Sequence, residues 1–286
     1  MKAALIGQNI GASLTPDMHM AEAKAQGFSY EYCRFDTAKA PYDTMPLKDI
    51  LHRAEADGMV GVNVTHPFKL EAAGLMHARS ETAEALGAVN TVLFEGGRWV
   101  GHNTDYVGFR SALRGAMPMA SIAKVLLVGA GGAGGAVALA LIDQGCGTLC
   151  ITDTCIDRAK ALALRLKSAR PRAQIQVARS FEDAGPTSLS GVINATPVGM
   201  DAHPGMAFDP GHLAAACWVA DIIYFPRRTA LLERATSRRL RTMDGSGMAI
   251  FQAAAAFHLM TGKTASPDRM TEHFRHLVSQ ERKELA

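Results

Sequence analysis

Two short stretches combine residue types that neither a hydrophobic core nor a simple turn needs. Gly61-Val62-Asn63-Val64-Thr65-His66-Pro67-Phe68-Lys69 carries small polar groups and one amine past the end of an apolar strand. Asn103-Thr104-Asp105 brings a carboxylate to the end of another. Oxidation of an alcohol removes a hydride from carbon and a proton from oxygen. An amine held beside the hydroxyl can take that proton, or return it in reduction. A free lysine is a poor base at neutral pH. Burial favours the neutral amine and a neighbouring carboxylate favours the ammonium, so the two influences on Lys69 oppose each other. Asp105 could partner Lys69 or orient the substrate hydroxyl directly. His66 and His102 lie close to these stretches in sequence; each reads as a structural, hydrogen-bonded histidine or as a proton shuttle.

The hydride needs an acceptor, and the chain offers a place for one. The apolar run Val125-Leu126-Leu127-Val128 leads into Gly129-Ala130-Gly131-Gly132-Ala133-Gly134-Gly135, and a helical pattern follows. Gly129-x-Gly131-x-x-Gly134 between a strand and a helix is the dinucleotide fingerprint in its required context. Its glycines allow a tight turn and close approach to a pyrophosphate, with helix N–H groups pointing at the anion. Gly132 and Ala133 belong to the same turn. Asp153 closes the next strand, 19 residues after Gly134. A carboxylate there can bind both ribose hydroxyls of NAD and repel the 2′-phosphate of NADP; alternatively it is a turn residue. Arg158, close by, leaves NADP as the weaker alternative cofactor.

The surrounding pattern supplies elements to hold these groups. Strands are expected at Lys2–Ile6, Tyr30–Phe35 and Val60–Val64, with a hairpin pairing Val89–Glu95 with Trp99–His102 across Gly96-Gly97. Helices are expected at Asp17–Gln26, Leu47–Ala56, Glu81–Leu86 and Val107–Arg114. Pro67 is expected to keep Lys69 in a loop. Beyond Asp105, Val125–Val128, Ala136–Gln144 and Thr148–Thr152 form a βαβ unit, continued by Ala159–Lys167, Gln174–Val177, Gly191–Asn194 and Val219–Ile223. An Ala-rich helix at Met248–Met260 and another from Pro267 to the end close the chain. Strands alternating with helices define an α/β fold.

Length and composition narrow the alternatives. The 286 residues suffice for two domains. A hydrophobic fraction of 48% with 20% charged residues is that of an ordinary globular protein. The formal charge of +3 comes with no Lys/Arg block, so nucleic acid is not an expected partner. No apolar run approaches a membrane span of about 20 residues, and the N-terminal run is too short for a signal peptide. The five cysteines (Cys33, Cys146, Cys150, Cys155, Cys217) form no C-x-x-C pair. Their odd number, without a secretion signal, argues for reduced thiols in the cytoplasm. Cys146, Cys150 and Cys155 read as small core residues or as a metal cluster; no metal is expected, because their spacing matches no standard zinc form.

The motifs, taken together, resemble the shikimate dehydrogenase family along nearly the full length. They are Ser13-Leu14-Thr15-Pro16-Asp17-Met18-His19, the Gly61–Lys69 stretch, Gly87-Ala88-Val89-Asn90-Thr91 and Asn103-Thr104-Asp105-Tyr106-Val107-Gly108. Further on come Asn194-Ala195-Thr196-Pro197-Val198-Gly199-Met200, Asp221-Ile222-Ile223-Tyr224-Phe225-Pro226, and Gly247-Met248 with Gln252. The resemblance implies a cyclic polyhydroxy acid interconverted with its 3-keto form. It implies that Ser13 and Thr15 receive the ring carboxylate, and that Asn63, Thr65, Asn90, Asp105 and Gln252 meet ring hydroxyls. Lys69 would transfer the proton, with Asp105 as its partner. Tyr224 and Gly247 would lie near the nicotinamide or substrate, Met200 and Met248 would wall the nicotinamide, and Thr196 would adjoin the cofactor.

The same resemblance implies a substrate domain over 1–105 completed by helices from 245–286, a Rossmann-type dinucleotide domain over 106–244, and a site in the cleft between them. The oligomer would be a monomer or homodimer. Departures from the family's common pattern are informative. Ser13-Leu14-Thr15-Pro16 replaces Ser-x-Ser-Pro, Asp153-Thr154-Cys155 replaces Asn-Arg-Thr, and Met248-Ala249 replaces Met-Leu. The first two resemble the quinate/shikimate dehydrogenase branch, which uses NAD in quinate catabolism. The expectation is therefore NAD-dependent oxidation of the C3 hydroxyl of quinate, shikimate or both. The alternatives are an NADP-dependent enzyme of aromatic amino acid biosynthesis that reduces 3-dehydroshikimate, and a non-catalytic sensor of a cyclitol acid and a nucleotide. An intact Lys69 and Asp105 speak against the sensor.

Overall fold

The computed structural model describes residues 1–284, with side chains through residue 279. In chain order the elements are β1 (Lys2–Gly7), α1 (Thr15–Ala25), β2 (Glu31–Asp36), α2 (Leu47–Ala56), β3 (Gly61–Val64), α3 (Lys69–Leu75), β4 (Ala78–Arg79), α4 (Glu81–Leu86), β5 (Thr91–Glu95), β6 (Arg98–His102) and α5 (Thr104–Ala116). They continue with β7 (Lys124–Val128), α6 (Gly132–Asp143), β8 (Thr148–Thr152), α7 (Ile156–Ala169), β9 (Ile175–Val177), β10 (Gly191–Asn194), β11 (Trp218–Asp221), α8 (Ala230–Ser237), β12 (Arg241–Met243), α9 (Ser246–Thr261) and α10 (Pro267–Glu284). The helix expected to reach the chain end is α10; the last two residues lie outside the described ones. The chain divides into two units, Met1–Gly108 with Ile250–Ala286, and Phe109–Ala249. The change of unit falls inside α5, after Gly108, and inside α9, before Ile250.

The first unit is a mixed sheet in the order β2-β1-β3-β5-β6-β4. β1 runs parallel to β2 and β3, while β5 runs antiparallel to β3 and β6. One face is apolar: Ala4, Ile6, Val62, Val64, Val92 and Trp99 pack with Leu47, Ile50, Leu51 and Ala54. Those α2 residues recur at helical spacing and form its buried stripe. The β5–β6 hairpin turns on Gly96 (φ 57°) and Gly97 (φ 79°), left-handed positions that suit a tight strand connection. α10 is tied to α1 through Glu22, whose carboxylate accepts from Arg269 and from the Ser266 N–H. Burial alone would raise the Glu22 pKa, but the hydrogen bonds from Arg269, Gln26 and Ser266 hold it below its usual value.

The second unit is an all-parallel sheet in the order β12-β11-β10-β7-β8-β9. Counted from β7, that is the doubly wound 3-2-1-4-5-6 arrangement, with its switch point between β7 and β10. The central strands are buried on both faces, as parallel sheets require.

Several boundaries differ from expectation in ways that matter. Lys69 is not in a loop but is the first residue of α3, because Pro67 lies before the helix and obstructs nothing inside it. α5 begins at Thr104, not Val107, which puts Asp105 in its first turn. α6 begins at Gly132, not Ala136, so the glycine turn is itself the helix start.

Candidate active site

In the first unit, the register Asn63↔Thr91↔His102 aligns three strand ends. Lys69 and Asp105 meet there: Nζ donates to Oδ2 at 2.5 Å. Their side chains are 17% and 9% exposed, so water screens the pair only in part. A charge-assisted bond of this kind fixes an otherwise flexible amine. The other carboxylate oxygen, Oδ1, accepts from Asn90 Nδ2 at 3.0 Å. Asn90 is itself locked, because its Oδ1 accepts the Thr104 N–H at 2.7 Å and its Nδ2 also donates to Thr104 Oγ1 at 3.0 Å. Asn103 ties down the start of α5, accepting from the Tyr106 N–H and donating to the Ala88 carbonyl.

Ser13 and Thr15 flank the N-terminus of α1, both part-exposed. Gln252 joins this end to the pair: its Nε2 lies 3.5 Å from Thr15 Oγ1 and its Oε1 lies 3.5 Å from Thr104 Oγ1. Thr65 follows β3, part-exposed. Asn63 stands near the end of β3, tied into the same network. It is buried, its Nδ2 donates to the Asn90 carbonyl and Thr91 Oγ1, and its Oδ1 accepts from Tyr32. Both amide hydrogens are bonded inside the protein, and Oδ1 keeps a second lone pair beside the Tyr32 bond. Neither His66, which is exposed, nor His102 hydrogen bonds to Lys69 or Asp105. Burial holds the His102 imidazole below its usual pKa.

In the second unit, the glycine turn fits a dinucleotide. Gly129 adopts φ 105°, and a Cβ there would meet the Ala195 backbone at 2.8 Å. A Cβ on Gly134 would fall 2.1 Å from the Gly129 carbonyl. A Cβ on Gly131 would meet nothing within 4 Å, so open space lies above the backbone where a pyrophosphate must approach. Gly132 and Ala133 follow as the first residues of α6. Asp153 is both a turn residue and a free acceptor: Oδ2 accepts the Ala130 N–H and Oδ1 the Cys155 N–H, each at 2.8 Å, leaving further lone pairs. Arg158 is drawn to it at 3.4 Å. Thr196 packs its methyl on Gly129 and spends its hydroxyl on Asn194 at 2.7 Å. Met200 is exposed, whereas Met248 is buried in the first turn of α9. Gly247 leaves room for Ala112, and Tyr224 stands part-exposed after β11.

Among the described residues no group of His, Cys, Asp and Glu could hold a metal ion, and no helix is long and apolar enough to cross a membrane. The five cysteines are free thiols, and burial pushes the Cys146 and Cys217 thiols up to about 11. Sequence reasoning assigned no role to Tyr32, Thr91 or Thr104. Thr91 and Thr104 stood within quoted motifs, but a threonine at a strand or helix end reads as ordinary structure.

A doubly wound nucleotide fold with an amine–carboxylate pair on a separate α/β unit defines an oxidoreductase of the alcohol-oxidising kind. The family described as "Shikimate dehydrogenase substrate binding domain" matches residues 5–92, and "Shikimate 5'-dehydrogenase C-terminal domain" matches residues 245–273. A quinate/shikimate dehydrogenase (NAD(+)) of Corynebacterium efficiens is 44% identical over 273 residues, covering 94% of this chain and 96% of the relative. A shikimate dehydrogenase (NADP(+)) of Pseudarthrobacter chlorophenolicus is 40% identical over 279 residues, covering 97% and 95%. Quinate dehydrogenase from Corynebacterium glutamicum, solved in complex with NAD, superposes with a TM-score of 0.91 at 42% identity, covering 96% of this chain and 99% of that one. The chain belongs to the shikimate dehydrogenase family.

Proposed function

We propose that this protein oxidises the C3 hydroxyl of quinate and shikimate to the 3-dehydro acid with NAD as cofactor. The observation that carries the reading is the Lys69–Asp105 pair, held from its far side by Asn90. NAD, when bound, supplies the hydride acceptor. Lys69 Nζ takes the hydroxyl proton in oxidation and returns it in reduction. Asp105 Oδ2 holds that nitrogen in place, and Asn90 occupies Oδ1 so that the carboxylate cannot swing away. Ser13 and Thr15 offer hydroxyls at the start of α1, where the positive end of the helix favours a carboxylate. Asn63, Thr65, Asn90 and Gln252 meet ring hydroxyls in this reading, and Tyr224 and Gly247 adjoin the reacting ring. Gly129, Gly131, Gly132, Ala133 and Gly134 cradle the pyrophosphate, Thr196, Met200 and Met248 border the nicotinamide side, and Asp153 reads the ribose.

The 44% identity to a quinate/shikimate dehydrogenase (NAD(+)) supports this reading. A second reading, NADP-dependent reduction of 3-dehydroshikimate, is favoured by the 40% identity to an NADP(+) enzyme and by Arg158 near the ribose end. In the structure Arg158 is paired with Asp153, whose carboxylate would repel a 2′-phosphate. Initial rates for quinate and shikimate, each with NAD and NADP, separate the two. The first reading expects turnover of both acids with NAD and much weaker turnover with NADP. Comparable or faster turnover with NADP, and none with quinate, establishes the second.

A further inference from the structure

We infer that Tyr32, which lies behind the Lys69–Asp105 pair at the far end of a buried hydrogen-bonded chain, is a positioning residue for proton transfer. The inference rests on the function proposed above.

The chain is continuous and directional. Tyr32 OH donates to Asn63 Oδ1 at 2.6 Å, and both side chains are buried. Burial raises the Tyr32 phenol well above its usual pKa, so it remains a donor under all working conditions. With its oxygen turned to Tyr32, Asn63 must present its amide hydrogens to the Asn90 carbonyl and to Thr91 Oγ1, at 3.1 and 2.9 Å. Thr91 Oγ1 thus accepts, and its own proton goes to Asn90 Oδ1 at 3.1 Å. Asn90 Oδ1 therefore receives the Thr91 hydroxyl, the Thr104 N–H and, at 3.2 Å, the Thr104 hydroxyl, and its Nδ2 is turned toward Asp105 Oδ1. Asp105 Oδ2 is left for Lys69. The links from Tyr32 through Asn63 to Thr91 have one donor and acceptor sense, set by a tyrosine that donates into this chain.

The backbone explains why a tyrosine can reach. Tyr32 pairs with Ala3, and Ala3 with Gly61, across β2, β1 and β3. That row carries only a methyl and a hydrogen beyond the phenol. The ring lies across them toward Asn63, two residues further along the same face. The ring's other neighbours are Tyr30 and His19, at centroid distances of 6.0 and 5.0 Å. Burial pushes the His19 imidazole down to about 3, so His19 is neutral beside the phenol at neutral pH.

Tyr32→Phe keeps the ring and removes the donor. Asn63 Oδ1 then has no partner, its amide can turn over, and Thr91 no longer holds Asn90. Asn90 keeps the Thr104 N–H, so Asp105 is held less firmly but not released, and Lys69, Asp105 and Asn90 are all retained. The single-turnover rate of acid oxidation by the full chain, at saturating NAD, should fall about 3- to 10-fold. KM for the acid and Kd for NAD should stay within about 2-fold, and the solvent deuterium isotope effect on the rate should rise. Thr91→Val, which cuts the chain in its middle, should show the same split, and Thr91→Ser should restore the wild-type rate. Should Tyr32→Phe fail to fold, the Thr91 pair decides alone. A lower Tm with unchanged rate and isotope effect makes the chain merely structural and overturns the inference, as does a raised KM with unchanged rate. Those outcomes leave the proposed function standing; a wild-type protein that oxidises neither acid overturns both.

Discussion

At the scale of single residues, the proposed function depends on one amine being held against one carboxylate. Lys69 and Asp105 come from the first turns of different helices, 36 residues apart in sequence, and are joined by a 2.5 Å bond. Removing the amine should abolish proton transfer but leave the hydroxyl-binding groups in place. Lys69→Ala should therefore lower kcat by about 10²- to 10⁴-fold while substrate affinity changes little. Steady-state rates with a direct binding titration check this, and a near wild-type kcat would remove Lys69 from the mechanism. In the proposed reading Asp153 carries cofactor choice. Replacing it with Asn removes the repulsion of a 2′-phosphate and weakens the grip on the ribose. Asp153→Asn should lower kcat/KM with NAD and narrow its margin over NADP. An unchanged ratio would make Asp153 only the cap of the Ala130 and Cys155 N–H groups.

At the scale of elements, strand ends do most of the placing, and one of them stores a pH dependence. Asp221 closes β11, fully buried, and accepts from Thr229, Asn194 and the Ile223 N–H. Burial outweighs these donors and raises its pKa from 3.8 to about 6. The folded protein thus keeps a proton that the unfolded chain releases between those values. This group's contribution to stability falls as pH rises through that window, by about 3 kcal/mol in total, and is flat above it. Asp221→Asn does not titrate. The Tm difference, variant minus wild type, should grow from pH 4 to about pH 6 and then level off; a difference independent of pH would contradict the buried, proton-retaining aspartate.

The elements also show what the sequence made legible. The β5–β6 hairpin was readable because Gly96-Gly97 demands left-handed backbone. The βαβ unit was readable because glycines, strand and carboxylate occur at fixed spacing. α3 was not, since Pro67 hid a helix that starts two residues later. α8 and β12 were not, because short amphipathic and edge elements carry weak patterns. The bonds of Asn63 to Tyr32 and Thr91 were not legible either; they arise from strand register and phenol reach, which no local pattern encodes.

At the scale of the whole molecule, one unit carries the Lys69–Asp105 pair and the other the Gly129–Gly134 turn, and the proposed reaction needs both. The family and the α/β architecture follow from similarity along the chain's length. The transfer itself is the central claim. Quinate and shikimate labelled with deuterium at C3 should be supplied to the wild-type protein with NAD, and the reduced nucleotide analysed by mass spectrometry. The account predicts that the C3 deuterium appears in the nucleotide, that the acid becomes its 3-dehydro form, and that kcat/KM shows a primary isotope effect. Deuterium retained at C3, or no reduced nucleotide from either acid, would contradict it.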